Sequence, residues 1–277
     1  MPYQIPRRII QTGKATNQSV RDRAAMANVR LLNPDYEYLF FDDDQVRTFI
    51  KQEFPQYVEM SGSFHFPIQQ YDFFRYLAVY RLGGFYFDLD VLLASGLSPL
   101  LECGCVFPFE RLSRSHFMRR NLGMDWQIGN YAFGAVAGHP FLAAVIANCV
   151  KAQKDPSWLK PMMRGTPPLS RDEYLVLNST GPGLVSRTLA ENADLASMVT
   201  VLFPDDICDV RNWYLFGEYG IHLMDSSWRS GQSFLHQKVI DYCRRWIDHR
   251  LIMESRKLGK ARNHRGMPAA RARSLEG

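Results

Sequence analysis

The sequence predicts an α/β domain, and three observations carry that reading. Strand-like and helix-like segments alternate from the N-terminus, the opening pattern of an α/β fold. The chain of 277 residues is 46% hydrophobic and 22% charged, a balance that excludes disordered and collagen-like chains. No stretch stays apolar over the roughly 20 residues a membrane-crossing helix needs. The longest candidate, 130–150, is broken by His139-Pro140.

The elements follow in order. Residues 5–11 read as a first strand. Residues 17–32 have helical spacing (Val20, Ala24, Ala27, Leu31) and stop at Asn33-Pro34. Residues 36–41, rich in aromatic residues, read as a second strand. Asp42 or Asp43 can cap a helix that Pro55 ends. A strongly helical segment, 68–82, stops at Gly83-Gly84, as glycine does at helix C-termini. Residues 85–93 then read as one continuous strand. Further strands are expected at 105–109, 130–138 and 199–203, with a polar loop at 111–125 and a proline-punctuated loop at 155–169. Helices are expected from His139-Pro140 to about 151, at 182–192 and at 233–253.

Five cysteines are too few and scattered for a disulfide framework, and Cys103 and Cys105 form C-x-C rather than a zinc-type C-x-x-C. They read as reduced, small core residues. The N-terminus lacks the apolar stretch of a signal peptide. The expectation is therefore a soluble, cytoplasmic chain. The net charge of +5 sits in the last residues: from 254 on, seven Lys/Arg face only Glu254 and Glu276. This divides the chain into one domain, 1–253, and a basic tail, 254–277. The body is near neutral, which argues against a nucleic-acid partner. The tail reads as a solvated end whose cations can also meet anionic lipid headgroups at the inner face of a membrane.

The stretch that carries chemistry is FYFDLDVLL, 85–93. In an extended strand, Phe85, Phe87, Leu89 and Val91 point one way, and Tyr86, Asp88 and Asp90 the other. Two carboxylates about 7 Å apart on one face can serve a hard divalent cation, which fills its remaining positions with substrate phosphates. On the preceding helix Asp72 and Arg75 lie one turn apart, hence on one side. Taken alone, they are also compatible with a local ion pair. His222 reads by itself as a structural histidine and Trp228 as packing. Asn130 reads as a turn former, and His139-Pro140 as a helix start.

Residues 69–90, QYDFFRYLAVYRLGGFYFDLDV, resemble the D-x-x-R-x-x-x-L…GG-x-Y-x-D-x-D block of glycosyltransferase family 32. That family includes fungal mannosyltransferases, α-1,4-glycosyltransferases and bacterial capsule enzymes. IPRRIIQTGK, NPDYEYLFFDD, NYAFGAVAGHPF, STGP and HLMDSSW are similar to further segments of the family. The resemblance implies a GT-A fold, a nucleotide-sugar-binding mixed sheet flanked by helices with helical additions. It implies transfer of a hexose, with retention, from a UDP- or GDP-sugar to a glycan or lipid-linked saccharide. Asp72 and Arg75 would hold the donor sugar beside Tyr86, with Gln11, Asn130 and Trp228 also on the donor. Asp88 would contact ribose or sugar, Asp90 would bind Mn²⁺ or Mg²⁺, and His222 or Ser226 would complete the metal shell.

The chain departs from the family where Ile10 and Gly13 replace a His and a Trp. The Trp often stacks on the nucleotide base. Tyr36, Tyr38 or Phe40 could take its place. Two other readings stand beside the transferase: a sugar- or nucleotide-binding protein on a decayed transferase fold, and a phosphatase of haloacid-dehalogenase type. The phosphatase motif usually lies near the N-terminus, with Thr or Val two residues after its second Asp. Here that position is Leu92.

Overall fold

The first helices start where a polar side chain can satisfy an otherwise orphaned backbone amide. The computed structural model describes residues 4–13, 18–224 and 234–258, with 234–237 as backbone only. Strand β1 (Arg8–Thr12) leads to helix α1 (Val20–Leu31), which Ser19 caps in a reciprocal box with Asp22. Strand β2 (Glu37–Phe41) precedes α2 (Asp43–Glu53), capped in the same way by Asp42 and Gln45. A short α3 (Val58–Gly62) leads to α4 (Pro67–Leu82), whose first position is proline.

Gly83 and Gly84 end α4 at φ +65° and +110°. At Gly84 a Cβ would lie 2.7 Å from the carbonyl oxygen of Arg8. A side chain is excluded there both by the backbone conformation and by the close approach of β1.

The continuous strand expected over 85–93 is two strands, β3 (Gly84–Phe87) and β4 (Val91–Leu93). A turn separates them: the amide of Asp88 donates to the Tyr131 carbonyl at 2.8 Å, and the amide of Val91 to the Asp88 carbonyl at 3.1 Å. Aspartate suits the first position of such a turn. Asp88 and Asp90 therefore do not share a strand face by alternation. They flank a bend, and Leu89 is only half-buried.

Strand β5 (Cys105–Leu112) runs three residues past its expected end, α5 (His116–Asn121) forms within the region expected to be a polar loop, and β6 (Trp126–Ile128) follows that region. Strand β7 (Ala132–Ala135) precedes α6 (Pro140–Lys154), whose N-cap is His139. The proline-punctuated loop holds α7 (Lys160–Met163) and short 3₁₀ turns, because proline is well placed in a first helical turn. Then come α8 (Arg171–Ser179), α9 (Pro182–Glu191), α10 (Ala193–Ala196), β8 (Thr200–Leu202) and β9 (Gly220–His222). Helix α11 (Phe234–Lys257) runs four residues past the expected tail boundary.

The seven-stranded sheet has the order β2-β1-β3-β7-β5-β6, with β8 also on β5. The pairs β2-β1, β1-β3 and β5-β8 are parallel, and the others antiparallel. This is a mixed sheet flanked by helices. Alternation along β3 divides its residues between two cores: Tyr86 joins Phe107, Phe133 and Phe141, while Phe85 and Phe87 join Val91, Leu97 and Phe216. A separate two-stranded sheet pairs β4 antiparallel with β9. Among the described residues no helix is long and apolar enough to cross a membrane. Cys105, Cys149 and Cys208 are buried, but Cys243 is exposed on α11, against the expectation of a core residue.

Candidate functional site

Helix α4 and the β3–β4 turn meet through Arg75. Its Nη2 lies 3.1 Å from both Asp72 Oδ1 and Asp88 Oδ1, and its Nη1 donates to Asp88 Oδ2 at 3.2 Å. Nη1 also donates to the Asn130 carbonyl at 2.8 Å, and the guanidinium sits 4.7 Å above the Tyr86 ring. Asp72 and Arg75 are 5% and 3% exposed, so this is a buried charge cluster and every charge in it needs a partner. Asp72 accepts from Asn130 Nδ2 and from Thr180 Oγ1, both at 3.0 Å. Asn130 Nδ2 also donates to Tyr76 Oη at 2.9 Å, and Tyr76 donates to the Thr180 carbonyl at 2.7 Å. Tyr86 donates to Asp88 Oδ1 at 2.8 Å and lies 3.1 Å from Thr12 Oγ1.

The electrostatics follow from burial. Desolvation raises the Asp72 carboxyl, against the pull of Arg75 and of the Thr180 and Asn130 hydrogen bonds. Desolvation lifts Asp88 to about 6. Arg75 opposes that rise, and the like charge of Asp90 adds to it. For Arg75 burial works against the charge, but Asp88, Tyr86 and Asp72 outweigh it and hold the pKa above its usual value.

The second group is Asp88, Asp90 and His222, whose nearest donor atoms all lie within 4.8 Å of one another. Pairing of β4 with β9 brings it about: Val91 faces His222 in register, and the Leu223 amide donates to the Asp90 carbonyl at 2.9 Å. His222 Nε2 lies 3.1 Å from Asp90 Oδ2, and its ring stacks on Tyr131 at 4.3 Å. Two carboxylates and an imidazole at this spacing suit a divalent cation. The raised pKa of Asp88 marks a site where added positive charge is favourable.

Both groups line one cavity of about 1330 Å³. Thr12 and Gly13 line it beside β1, Glu110 and Arg111 from β5, and Arg244, Arg245 and Asp248 from α11. Asp248 holds Arg114 through two bonds of 2.7 and 2.6 Å. Glu110 is buried and accepts from Gln127, and desolvation raises its pKa.

The structure thus gathers Asp72, Arg75, Tyr86, Asp88, Asp90, Asn130 and His222 at one cavity. Gln11 lies behind it instead: it is 0% exposed, accepts from Tyr38 Oη at 2.9 Å and points Nε2 at the Phe87 and Asp88 carbonyls. Direct donor contact by Gln11 gives way to support of the Asp88 turn. Ser226 and Trp228 lie outside the described residues. Thr180, Tyr76, Tyr131 and Glu110 carry no site role in the sequence reading. Tyr76, Tyr131 and Thr180 lie within the family-like segments 69–90, 130–141 and 179–182, whereas Glu110 has no such signal. Next to Gly13, a Cβ would be 3.0 Å from both the Phe40 ring and Leu89. Of the three aromatic candidates Phe40 fills that space, whereas Tyr36 packs on Phe85 and Tyr38 bonds to Gln11.

Comparison with known proteins agrees with the block that nucleates this site. Residues 19–105 match the family model described as glycosyltransferase sugar-binding region containing DXD motif. Mannosyl phosphorylinositol ceramide synthase CSH1 of Saccharomyces cerevisiae is 29% identical over 240 residues, 84% of this chain and 55% of that protein. Inositol phosphoceramide mannosyltransferase 3 of Schizosaccharomyces pombe is 33% identical over 144 residues, 52% of this chain and 37% of that protein. The chain covers about half of the first relative and less of the second. A solved structure, PaToxG Glycosyltransferase, has a TM-score of 0.44 at 16% identity, covering 68% of this chain and 70% of that one. Residues 19–105 thus resemble the sugar-binding region, with its DXD motif, of that glycosyltransferase family.

Proposed function

We propose that the protein is a metal-dependent, retaining glycosyltransferase that moves a hexose from a UDP- or GDP-sugar to a glycan or lipid-linked acceptor. The observation that carries this reading is the joining of two groups through Asp88. One side of Asp88 is fixed by Arg75 and Tyr86, and the other faces Asp90 and His222. A donor held there would place its sugar by the Asp72–Arg75 network and its diphosphate by the Asp–Asp–His group. The relatives named for inositol phosphoceramide and mannosyl transfer favour mannose as the sugar and a ceramide-linked inositol phosphate as acceptor.

Asp88, Asp90 and His222 would hold Mn²⁺ or Mg²⁺, which when bound offsets the charge that builds on a leaving diphosphate. Arg75 supplies a rigid, permanently charged fork beside the sugar. Asp72, held by Thr180 and Asn130, is oriented to accept from a sugar hydroxyl. Both oxygens of Asp88 are engaged by Arg75, and Oδ1 also by Tyr86, so it serves as a charge partner rather than as a phosphatase nucleophile. With no nucleophile assigned, the acceptor attacks on the face from which the diphosphate leaves, and the leaving phosphate takes the acceptor's proton. In this reading the protein works in the cytoplasm, and the basic tail adds electrostatic attraction to an anionic membrane.

The test is donor hydrolysis over a panel of UDP- and GDP-sugars, with Mn²⁺ and with EDTA, for wild type and Asp90→Ala. Release of one nucleoside diphosphate, dependent on metal and lost in the variant, supports the transferase. Metal-dependent nucleotide binding without turnover, even with glycolipid acceptors present, supports a binding protein instead. Phosphate release from a monoester would support the phosphatase.

A further inference from the structure

Helix α11 presents three faces. Ile240 and Leu251 are buried against the body, with Ile247 packed beside them. Asp241, Arg244, Asp248 and Ile252 line the cavity. Val239, Tyr242, Trp246 and Met253 stand on the remaining face, and Tyr242 and Trp246 are 74% and 59% exposed. At about 3.6 residues per turn these four form one stripe, opposite the packed face and adjoining the cavity flank. Single exposed apolar residues are ordinary, but a stripe of four with two large aromatics is not.

Charge identifies the occupant. On the same helical projection Lys238, Arg245 and Arg256 border the stripe on one side, and Arg250 and Lys257 on the other. The acids of α11 fall outside it. Asp241 and Asp248 are on the cavity flank, with Asp248 bound to Arg114, and Glu254 is bound to Arg250 at 3.0 Å. From 238 to 277 the chain has eleven Lys/Arg against four Asp/Glu, so the rest of the chain carries a net negative charge. A second copy would bring two such basic faces together. An anionic, apolar-cored partner meets both the stripe and its border.

We propose that this face of α11 docks on an anionic lipid bilayer, inserting Tyr242 and Trp246 at the headgroup boundary. Tryptophan and tyrosine favour that boundary, and bordering cations favour anionic headgroups. Docked in this way, the cavity opens beside the lipid surface. That orientation bears on the proposed lipid-linked acceptor and rests on that reading, while the docking itself does not.

The experiment is co-sedimentation of the full chain with vesicles of phosphatidylcholine, with and without about a third phosphatidylserine. Wild type binds the anionic vesicles. Tyr242→Ser/Trp246→Ser binds them about tenfold more weakly, with unchanged helix content and unchanged donor hydrolysis without vesicles. Brominated lipid quenches a fluorescence component present in wild type and absent in Trp246→Phe. Equal binding by the double variant, absence of anionic-vesicle binding, or bound protein with unquenched Trp246 each overturns the proposal. So does a concentration-dependent dimer that the double variant abolishes, which would make the stripe a protein interface. Donor hydrolysis reads the transferase separately, so either idea can fail alone.

Discussion

Arg75 and Asp88 are joined by a two-pronged ion pair, Nη2 to Oδ1 at 3.1 Å and Nη1 to Oδ2 at 3.2 Å, although one lies in a helix and the other in a turn beyond the next strand. The pair sets the angle of the carboxylate that faces Asp90 and His222. Arg75→Lys keeps the charge but loses the fork. Donor hydrolysis should fall about 100-fold, as when a preorganised donor is removed from an active site. Arg75→Ala leaves Asp72 and Asp88 uncompensated and should destabilise the fold by about 3–5 kcal/mol in urea unfolding.

Metal binding should separate from folding. Asp90→Ala removes a like charge from beside Asp88. In EDTA its thermal midpoint should equal or exceed that of wild type, while calorimetric Mn²⁺ binding disappears. His222→Ala should weaken Mn²⁺ by at least the roughly tenfold typical of an outer-shell partner. Unchanged Mn²⁺ affinity in both variants would move the cation away from this group.

Thr180→Val keeps the shape of a side chain whose hydroxyl donates to Asp72 Oδ2 at 3.0 Å. The buried carboxylate loses a donor, at a cost of about 1–3 kcal/mol. Chemical denaturation should show the loss, and Thr180→Ser should recover most of it.

His139 gives a pH dependence of stability. Its Nδ1 accepts from the Phe141 amide at 3.2 Å at the start of α6, and burial lowers its pKa from 6.5 to about 4. Between those values the unfolded chain takes up a proton that the folded chain refuses. The stabilisation is therefore complete above about pH 6.5 and lost as pH falls towards 4, by up to about 3 kcal/mol. His139→Asn keeps a capping acceptor without a titrating ring. The difference between wild type and variant in urea midpoint should shrink or reverse from pH 7.5 to 4.5.

Much of this protein was legible in one dimension because the physics there is local. Capping at Asp42, the end of α4 at Gly83-Gly84 and the one-turn spacing of Asp72 and Arg75 all involve neighbours within a few residues. The D-x-x-R and D-x-D block marked the site region for the same reason. Alternation along 85–93 misled, because a strand pattern cannot show that the Asp88 amide leaves the ladder for the Tyr131 carbonyl. The tertiary structure alone decided the rest. Antiparallel pairing of β4 with β9 brings His222 to Asp90, and the end of α8 delivers Thr180 to Asp72. Packing turns Gln11 from the cavity and puts Phe40 beside Gly13. These relationships join residues far apart in the chain, and no local preference encodes them. They arise only when burial of the two cores brings those segments together and requires each buried polar group to find a partner.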